Sequence, residues 1–562
     1  MKKTISLMFA ACGLLVLTGC NSKMNPFAGD MFTTNPNPLE VVGEQVPATV
    51  TGNIPAKFFK KNAEVTVTPV LVWNGGEANS QAVTFQGEKI RGNNPTVSYD
   101  NGGSVTIPVN YLYTPEMMKS ELYLAFHVQQ GNKEYALPRV KVADGVVATA
   151  ALADAGNEAP AVTADKFQRY INDAYKADIH FLINQANLRD SELKSESMQA
   201  FNKDLQEAAA DDRRVIEEIN IKSYASPEGA LDFNTRLAEN REKNTKSYLE
   251  KQLKKDNITE FGELTADFTP EDWEGFQELV GKSDIQDKDL ILSVLGMYKD
   301  PAEREKEIRN MASVFDVLAK DILPQLRRSK LNAKIKIIGK SDEEIMNAYN
   351  TNPESLSVEE LLYAGTLTDD DARQAEIYKT VTRLYPDDYR GYNNLGMAQY
   401  RMKDYQAAAG NFNQAAKRAP ESREVKVNQA LIALLNKDMN TAKSLLGNAG
   451  GVPAATSALG YAQLREGNTS AAAAAYRGVE SNNAALAQIM NKDYSTASST
   501  IAKIKNPDAT TYYLAAILGA RTNNSDQVKS NLQKAVQLDS QLGQRALNDL
   551  EFAKFDVENI LR

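Results

Sequence analysis

Along this chain the spacing of apolar and polar positions changes character three times. From about Pro38 to Val147 it alternates with a period of two, as in Ala63-Glu64-Val65-Thr66-Val67-Thr68 and Ser104-Val105-Thr106-Ile107-Pro108-Val109. Alternation sends successive side chains to opposite faces of a strand. Asn74-Gly75-Gly76 and Asn101-Gly102-Gly103 supply turn residues between such runs. Short strands with spaced turns predict a β-sandwich over 39–147. Residues 148–165, Ala-rich with Gly156 and Pro160, read as a linker. Next, Ile179–Ile183, Ile219–Tyr224 and Ile335–Ile338 are strand-like runs among amphipathic helical stretches, an α/β pattern over 166–345. Beyond Ser357 the strands vanish, and 357–562 is Ala-rich and helical.

The start of the chain has its own logic. Met1-Lys2-Lys3-Thr4 leads into the apolar run Ile5–Val16 and then Leu17-Thr18-Gly19-Cys20. This resembles a lipoprotein signal peptide over 1–19, and the run is too short for a spanning helix. The resemblance implies cleavage before Cys20, which would carry acyl chains such as palmitate. Several chains bury enough methylenes for stable anchoring. Cys12 lies inside the signal, so Cys20 is left alone, with neither a disulfide framework nor a cysteine metal site available. Residues 20–38, polar and rich in Asn and Pro, read as a flexible tether. In bacterial lipoproteins Asp after the lipid cysteine tends to retain the protein in the inner membrane. Asn21 therefore implies the outer membrane, and the lack of an acidic run after Cys20 favours its periplasmic face.

Composition narrows the chemistry. A length of 562 residues suggests three or four domains, and 42% hydrophobic residues suffice for packed cores. A formal charge of -9 with no basic stretch argues against nucleic acid. The two histidines, His127 and His180, lie in separate strand-like runs and read as structural. No Gly-x-Ser-x-Gly elbow, phosphate-cradling loop, His-Glu-x-x-His or thiol nucleophile is present. Asp211-Asp212 and Asp369-Asp370-Asp371 lack the spacing of a calcium loop and read as helix caps or solvated loops. The expectation is a protein that is not an enzyme and needs no metal or cofactor.

In the helical region, Gly391-Tyr392-Asn393-Asn394-Leu395-Gly396 is followed by Asp404-Tyr405, Ala408, Phe412, Ala415 and Pro420. This spacing resembles a tetratricopeptide repeat, with Tyr400 beside Gln399 serving as the first helix's tyrosine. Small residues let paired helices approach, while Tyr392, Leu395 and Phe412 fill the space between them. Weaker copies involve Ala430, Ala442, Leu446 and Ala449; Gly460, Ala472 and Tyr476; Tyr494 and Ala497; and Tyr512, Ala516, Val528, Leu532 and Ala535, with an upstream half-match at Tyr378, Val381 and Pro386. Five or six hairpins are expected to stack into a solenoid capped by Leu542–Phe555. The resemblance implies a groove that binds a protein partner, while the repeat aromatics themselves read mostly as core.

Between Ile219 and Leu249, Gly229, Asn234, Leu237 and Arg241 follow a strand and a loop. This arrangement resembles the peptidoglycan-binding C-terminal domain of outer-membrane protein A. In that family the ligand is the diaminopimelate carboxylate and amine of the peptidoglycan stem peptide. The resemblance implies a site at Ser226, Gly229, Asn234, Leu237 and Arg241, with Arg241 pairing a carboxylate. Two positions depart from the pattern: Ser226 stands where the family has the Asp that meets the amine, and Glu242 where it has Ala. Glu228 is the nearby acid that would supply the missing negative charge, but it sits two residues from Ser226 and is expected to point elsewhere. Residues 267–329 read as a helical insertion, with Thr269 capping its first helix, Pro270 in the first turn, and Trp273 and Phe276 on a core-facing side. Together with Ile54-Pro55-Ala56-Lys57-Phe58-Phe59 and Phe85-Gln86-Gly87-Glu88-Lys89, the chain is similar to OmpA-like tetratricopeptide lipoproteins of the Bacteroidota. These readings lead to an outer-membrane-anchored periplasmic scaffold; the alternative is a surface-exposed envelope or fimbrial assembly or adhesion component with a degenerate OmpA-like domain.

Overall fold

Inward-facing Ala63, Val65 and Val67 and their neighbours do become a strand, Ala63–Trp73, the centre of a sheet in a computed structural model that describes residues 23–285, 288–310 and 312–562. The signal peptide and Cys20 lie outside the described residues. Two compact units are resolved, one built from the chain up to Ala164 together with Thr368–Arg562, the other from Asp165–Leu367.

In the first unit, one sheet runs in the order Phe32–Asn35, Ala48–Ile54, Gly103–Val109. The other runs Lys133–Asp144, Ser120–Gln130, Ala63–Trp73, Val83–Gly87, Thr96–Val97. Val50 and Ile107 from the first face Val65, Leu122 and Phe126 from the second in one core, which makes a β-sandwich. His127 lies on a strand of the second sheet and is half exposed beside Glu134. The stretch expected to be a flexible tether is part of this sandwich from Met24 onward. Met24 and Phe27 are buried, Phe27 stacks on Phe126 at 4.3 Å, and Phe32–Asn35 pairs with Ala48–Ile54. Burying side chains of that size is worth roughly 1.5–3 kcal/mol each, which outweighs the Asn/Pro character of the flanking residues.

The C-terminal part of the same unit is all helix. A lone helix Asp371–Leu384 precedes five hairpins: Tyr389–Arg401 with Tyr405–Arg418, Arg423–Leu435 with Met439–Gly447, Pro453–Arg465 with Thr469–Ala475, Asn482–Met490 with Tyr494–Lys503, and Ala509–Arg521 with Ser525–Leu538. Helix Gln541–Asn548 and a short turn to Phe552 close the end. A Cβ on Gly396 would lie 2.7 Å from the Phe412 ring, so the first hairpin closes only around glycine. Second helices of 9, 7 and 10 residues in the middle hairpins account for the shortened repeat intervals. The solenoid starts later than Ser357, since helix Val358–Ala364 belongs to the other unit.

That second unit carries a four-stranded sheet ordered Tyr170–His180, Arg328–Ile338, Arg214–Tyr224, Glu263–Thr269, antiparallel except for the last pair. Helices Glu196–Ala209 and Leu231–Lys255 share a core with it through Phe201, Leu205, Ile219, Leu249 and Leu331. Between Thr269 and Arg328 lies the helical insertion, with its own core of Phe276, Val280, Leu318 and Leu326. Its first helix is capped by Asp272, whose carboxylate accepts from the Gly275 N–H at 2.8 Å, and not by Thr269, because the strand runs on through Thr269. Asp370 likewise caps a helix, and Asp211 accepts from the Arg213 N–H and pairs with Arg214.

Candidate functional sites

The inner helices of the solenoid are largely buried, and three of them bury asparagines: Asn393, Asn394, Asn428 and Asn483 are at most 2% exposed. A buried carboxamide must find both a donor and an acceptor, and here the partner is the chain itself. Residues 148–164, the stretch read as a linker, lie along the inner helices as a strap. Two short turns, Thr149–Leu152 and Ala155–Asn157, are followed by residues 159–164 outside any regular element. Asn428 Nδ2 donates to the Ala161 carbonyl at 2.7 Å while its Oδ1 accepts from the Ala161 N–H at 2.7 Å. Asn394 grips Thr163 in the same way, at 2.9 Å both ways, and Asn483 grips Asp154 at 2.7 and 3.1 Å. Asn393 Nδ2 adds a second bond to the Ala161 carbonyl, at 3.0 Å. Four carboxamides thus hold the backbone at three residues whatever their side chains, and the strap runs opposite to the order of the repeats.

Side chains add selectivity. The Tyr400 hydroxyl donates to the Ala155 carbonyl at 2.7 Å, and the Thr163 hydroxyl to Asn394 Oδ1 at 2.8 Å. Glu158 is 4% exposed, and one carboxylate oxygen accepts from both Tyr476 Oη, at 2.5 Å, and Asn483 Nδ2, at 2.7 Å. Burial pushes its pKa up to about 7 against those two hydrogen bonds. A Cβ on Gly156 would meet the Tyr405 hydroxyl at 2.3 Å. Beside Ala153–Ala155 the groove is not filled: a cavity of about 450 Å³ opens there, lined by Leu434, Leu435, Met439, Tyr461 and Arg465 among others. Two of the repeat tyrosines expected to be core, Tyr400 and Tyr476, are buried and also turn their hydroxyls to the strap. The signal that would have found the groove was present: Asn394 and Asn428 stand two residues before the small residues Gly396 and Ala430, one repeat of about 34 residues apart.

In the α/β unit, Ser226, Gly229, Asn234 and Arg241 do come together around one loop. Arg241 is completely buried, and its donors go to main-chain carbonyls: Nε to Gln185 at 3.0 Å, Nη1 to Tyr224 at 2.7 Å, Nη2 to Leu182 at 3.2 Å. The Phe181 ring lies 4.9 Å from its guanidinium. Burial, reinforced by the nearby Arg327 charge, pushes its pKa down to about 10. Asn234 is buried as well and donates to the Ser226 and Glu228 carbonyls, bracing the loop. Leu237 is half-buried on the same helix. Glu228, expected to point elsewhere, returns to the site: it accepts from the Ser226 hydroxyl at 3.0 Å and pairs with Arg327 at 2.7 Å. Gly229 has φ +94°, and its N–H donates to Glu305 of the insertion at 2.7 Å. A carboxylate therefore does sit on this loop, and the chain supplies it.

No protein-family model matches the chain, and no curated protein sequence does. Among solved structures, the chain is similar to a tetratricopeptide repeat protein from Parabacteroides merdae, at 13% identity over 46% of this chain and 96% of that one, with a TM-score of 0.28. It is also similar to PilF of Pseudomonas aeruginosa, at 14% identity over 39% of this chain and 100% of that one, TM-score 0.28. A third is yeast Tom70, at 12% identity over 64% and 80%, TM-score 0.25. Likenesses of this size carry no argument about what the chain does, so its function rests on the geometry of the groove and the loop.

Proposed function

We propose that this chain is a non-catalytic scaffold of the bacterial envelope, held to the periplasmic face of the outer membrane by acyl chains on Cys20 and binding a protein partner through its solenoid. What supports the reading is the groove itself: four buried asparagines hold a polypeptide by its backbone, the chemistry of a peptide-binding surface. The α/β unit serves in this scaffold as a connector. The donors that the OmpA resemblance would offer a stem peptide, Arg241 and the Gly229 N–H, are spent on carbonyls and on Glu305.

Two experiments test the halves of this reading. Photo-crosslinking residues placed at Leu435 and Met439, which line the open cavity of the groove beside the strap, should give one reproducible protein adduct in cells, and its loss when Cys20 becomes Ser would tie capture to the anchor. Absence of any adduct would sink the scaffold. For the connector, purified peptidoglycan should leave the wild-type protein in the supernatant, whereas Glu305→Ala, by freeing the Gly229 N–H, is the variant expected to pellet if any does. Salt-resistant pelleting of the wild type would overturn the connector role and restore wall binding.

A further inference from the structure

The groove that supports the scaffold reading is already full, and the details of its filling say what else it would accept. We propose that the strap is a resident ligand held in cis, and that the partner binds by exchanging with it, presenting a segment of small residues that runs in the same direction and carries one acid. The inference rests on the scaffold reading and specifies its partner.

Four observations carry it. Recognition is by backbone at Asp154, Ala161 and Thr163, so a foreign segment can satisfy the same three clamps. Steric selection is for small residues: Ala155 and Ala161 are buried, and Gly156 has no room for a side chain beneath Tyr405. One side chain is read chemically, at the Tyr476–Asn483 pair that receives the Glu158 carboxylate. The hold is also uneven. The third inner helix, Pro453–Arg465, has Ala458 two residues before Gly460, where its neighbours have Asn428 and Asn483, and the cavity of about 450 Å³ opens beside Ala153–Ala155. A segment can enter there while the ends of the strap are still clamped. Local opening of such a stretch is the ordinary route by which an intramolecular ligand gives way.

The test uses residues 21–562 and a fluorescein-labelled peptide of residues 148–164 as the probe. Gly156→Val together with Glu158→Lys alters only the strap. Fluorescence anisotropy should show the peptide binding this variant at least tenfold more tightly than the wild type, and adding Asn394→Ala and Asn428→Ala should remove at least tenfold of that affinity. Equal binding to wild type and a strap variant that keeps its helical circular dichroism would overturn the proposal. Should the variant fail to fold, hydrogen exchange on the wild-type protein decides the matter: the Ala161 and Thr163 amides should exchange at least a hundredfold faster than the amides of helix Arg423–Leu435. Exchange as slow as that helix would make the strap a permanent joint. In that case adducts still formed from Leu435 and Met439 would leave the scaffold standing with a partner seated beside a fixed strap, whereas loss of both results would remove scaffold and exchange together.

Discussion

A guanidinium with no accessible surface and no carboxylate in its hydrogen-bond shell is a structural device, and Arg241 has that environment. Its rigid fork fixes three carbonyls, that of Tyr224 at a strand end and those of Leu182 and Gln185 in the loop after strand Tyr170–His180. Replacement with Ala removes all three hydrogen bonds, at roughly 1.5–3 kcal/mol for each bond to a charged donor, and empties the fully buried space the side chain fills. Arg241→Ala should therefore destabilise the α/β unit by about 3 kcal/mol or more in urea denaturation, and Arg241→Lys, a point donor unable to span three acceptors, by nearly as much. A loss below about 1 kcal/mol in both would show that the side chain is free for another use. The five positions around this loop came from the resemblance to the outer-membrane protein A domain, and spacing accounts only for Asn234, Leu237 and Arg241 sharing one helical face. Their occupation was not legible. Glu305 lies 76 positions from Gly229, and Leu182 lies 59 from Arg241, separations no local pattern encodes.

Among the elements, the strap shows how composition misleads. Ala, Gly and Pro are the residues of a linker, and they are equally what a narrow groove selects; only the inner helices distinguish the two cases. The N-terminal stretch misled in the opposite sense, since three large apolar residues, Met24, Phe27 and Phe32, were outvoted by their Asn and Pro neighbours. By contrast the hairpins were readable, because small residues at Gly396, Ala408 and Ala415 mark close helix contacts that recur. The strap's own chemistry yields a pH dependence. Glu158 has an ordinary pKa of 4.5 and is pushed up to about 7 by burial, opposed by Tyr476 and Asn483 and reinforced by the Asp154 charge. A raised acid pKa means the folded chain holds the proton more tightly than the unfolded chain. The stabilisation is therefore complete below about 4.5 and is lost as pH rises through about 7. At about 1.4 kcal/mol per unit, the strap should weaken by up to about 3 kcal/mol over that window. The melting temperature should fall between pH 5 and 8 in the wild type and fall less in Glu158→Gln, which keeps an acceptor oxygen without the charge. Identical pH profiles for the two proteins would mean Glu158 titrates normally.

At the scale of the whole molecule, one compact unit is made from chain segments that the other unit separates in sequence. Within that unit the strap joins the sandwich to the solenoid through polar contacts: Arg545 donates to the Ala148 carbonyl at 2.8 Å, the Thr149 hydroxyl to Glu551 at 2.5 Å, and the four asparagines hold the rest. Lys437 and Arg465 of the solenoid also pair with Glu44 of the sandwich, at 2.5 and 3.3 Å. Surface pairs of this kind contribute little; Gly145 packs closely on Leu550 and Val42 on Gly467, and the strap supplies the polar part of the joint. Sandwich and solenoid should then unfold together. The chain has two tryptophans, Trp73 in the sandwich and Trp273 in the α/β unit, so Trp273→Phe leaves a single fluorescent reporter on the sandwich. In urea, the Trp73 fluorescence transition should coincide with the main loss of helical circular dichroism in that protein, the mark of a shared two-state step. Adding Asn394→Ala and Asn428→Ala should separate the two transitions, with the solenoid melting at the lower urea concentration because its inner helices lose the carboxamides that hold the strap. If the transitions are already separate before those asparagines are changed, the strap rests in the groove without joining anything, and the unit is two domains in contact.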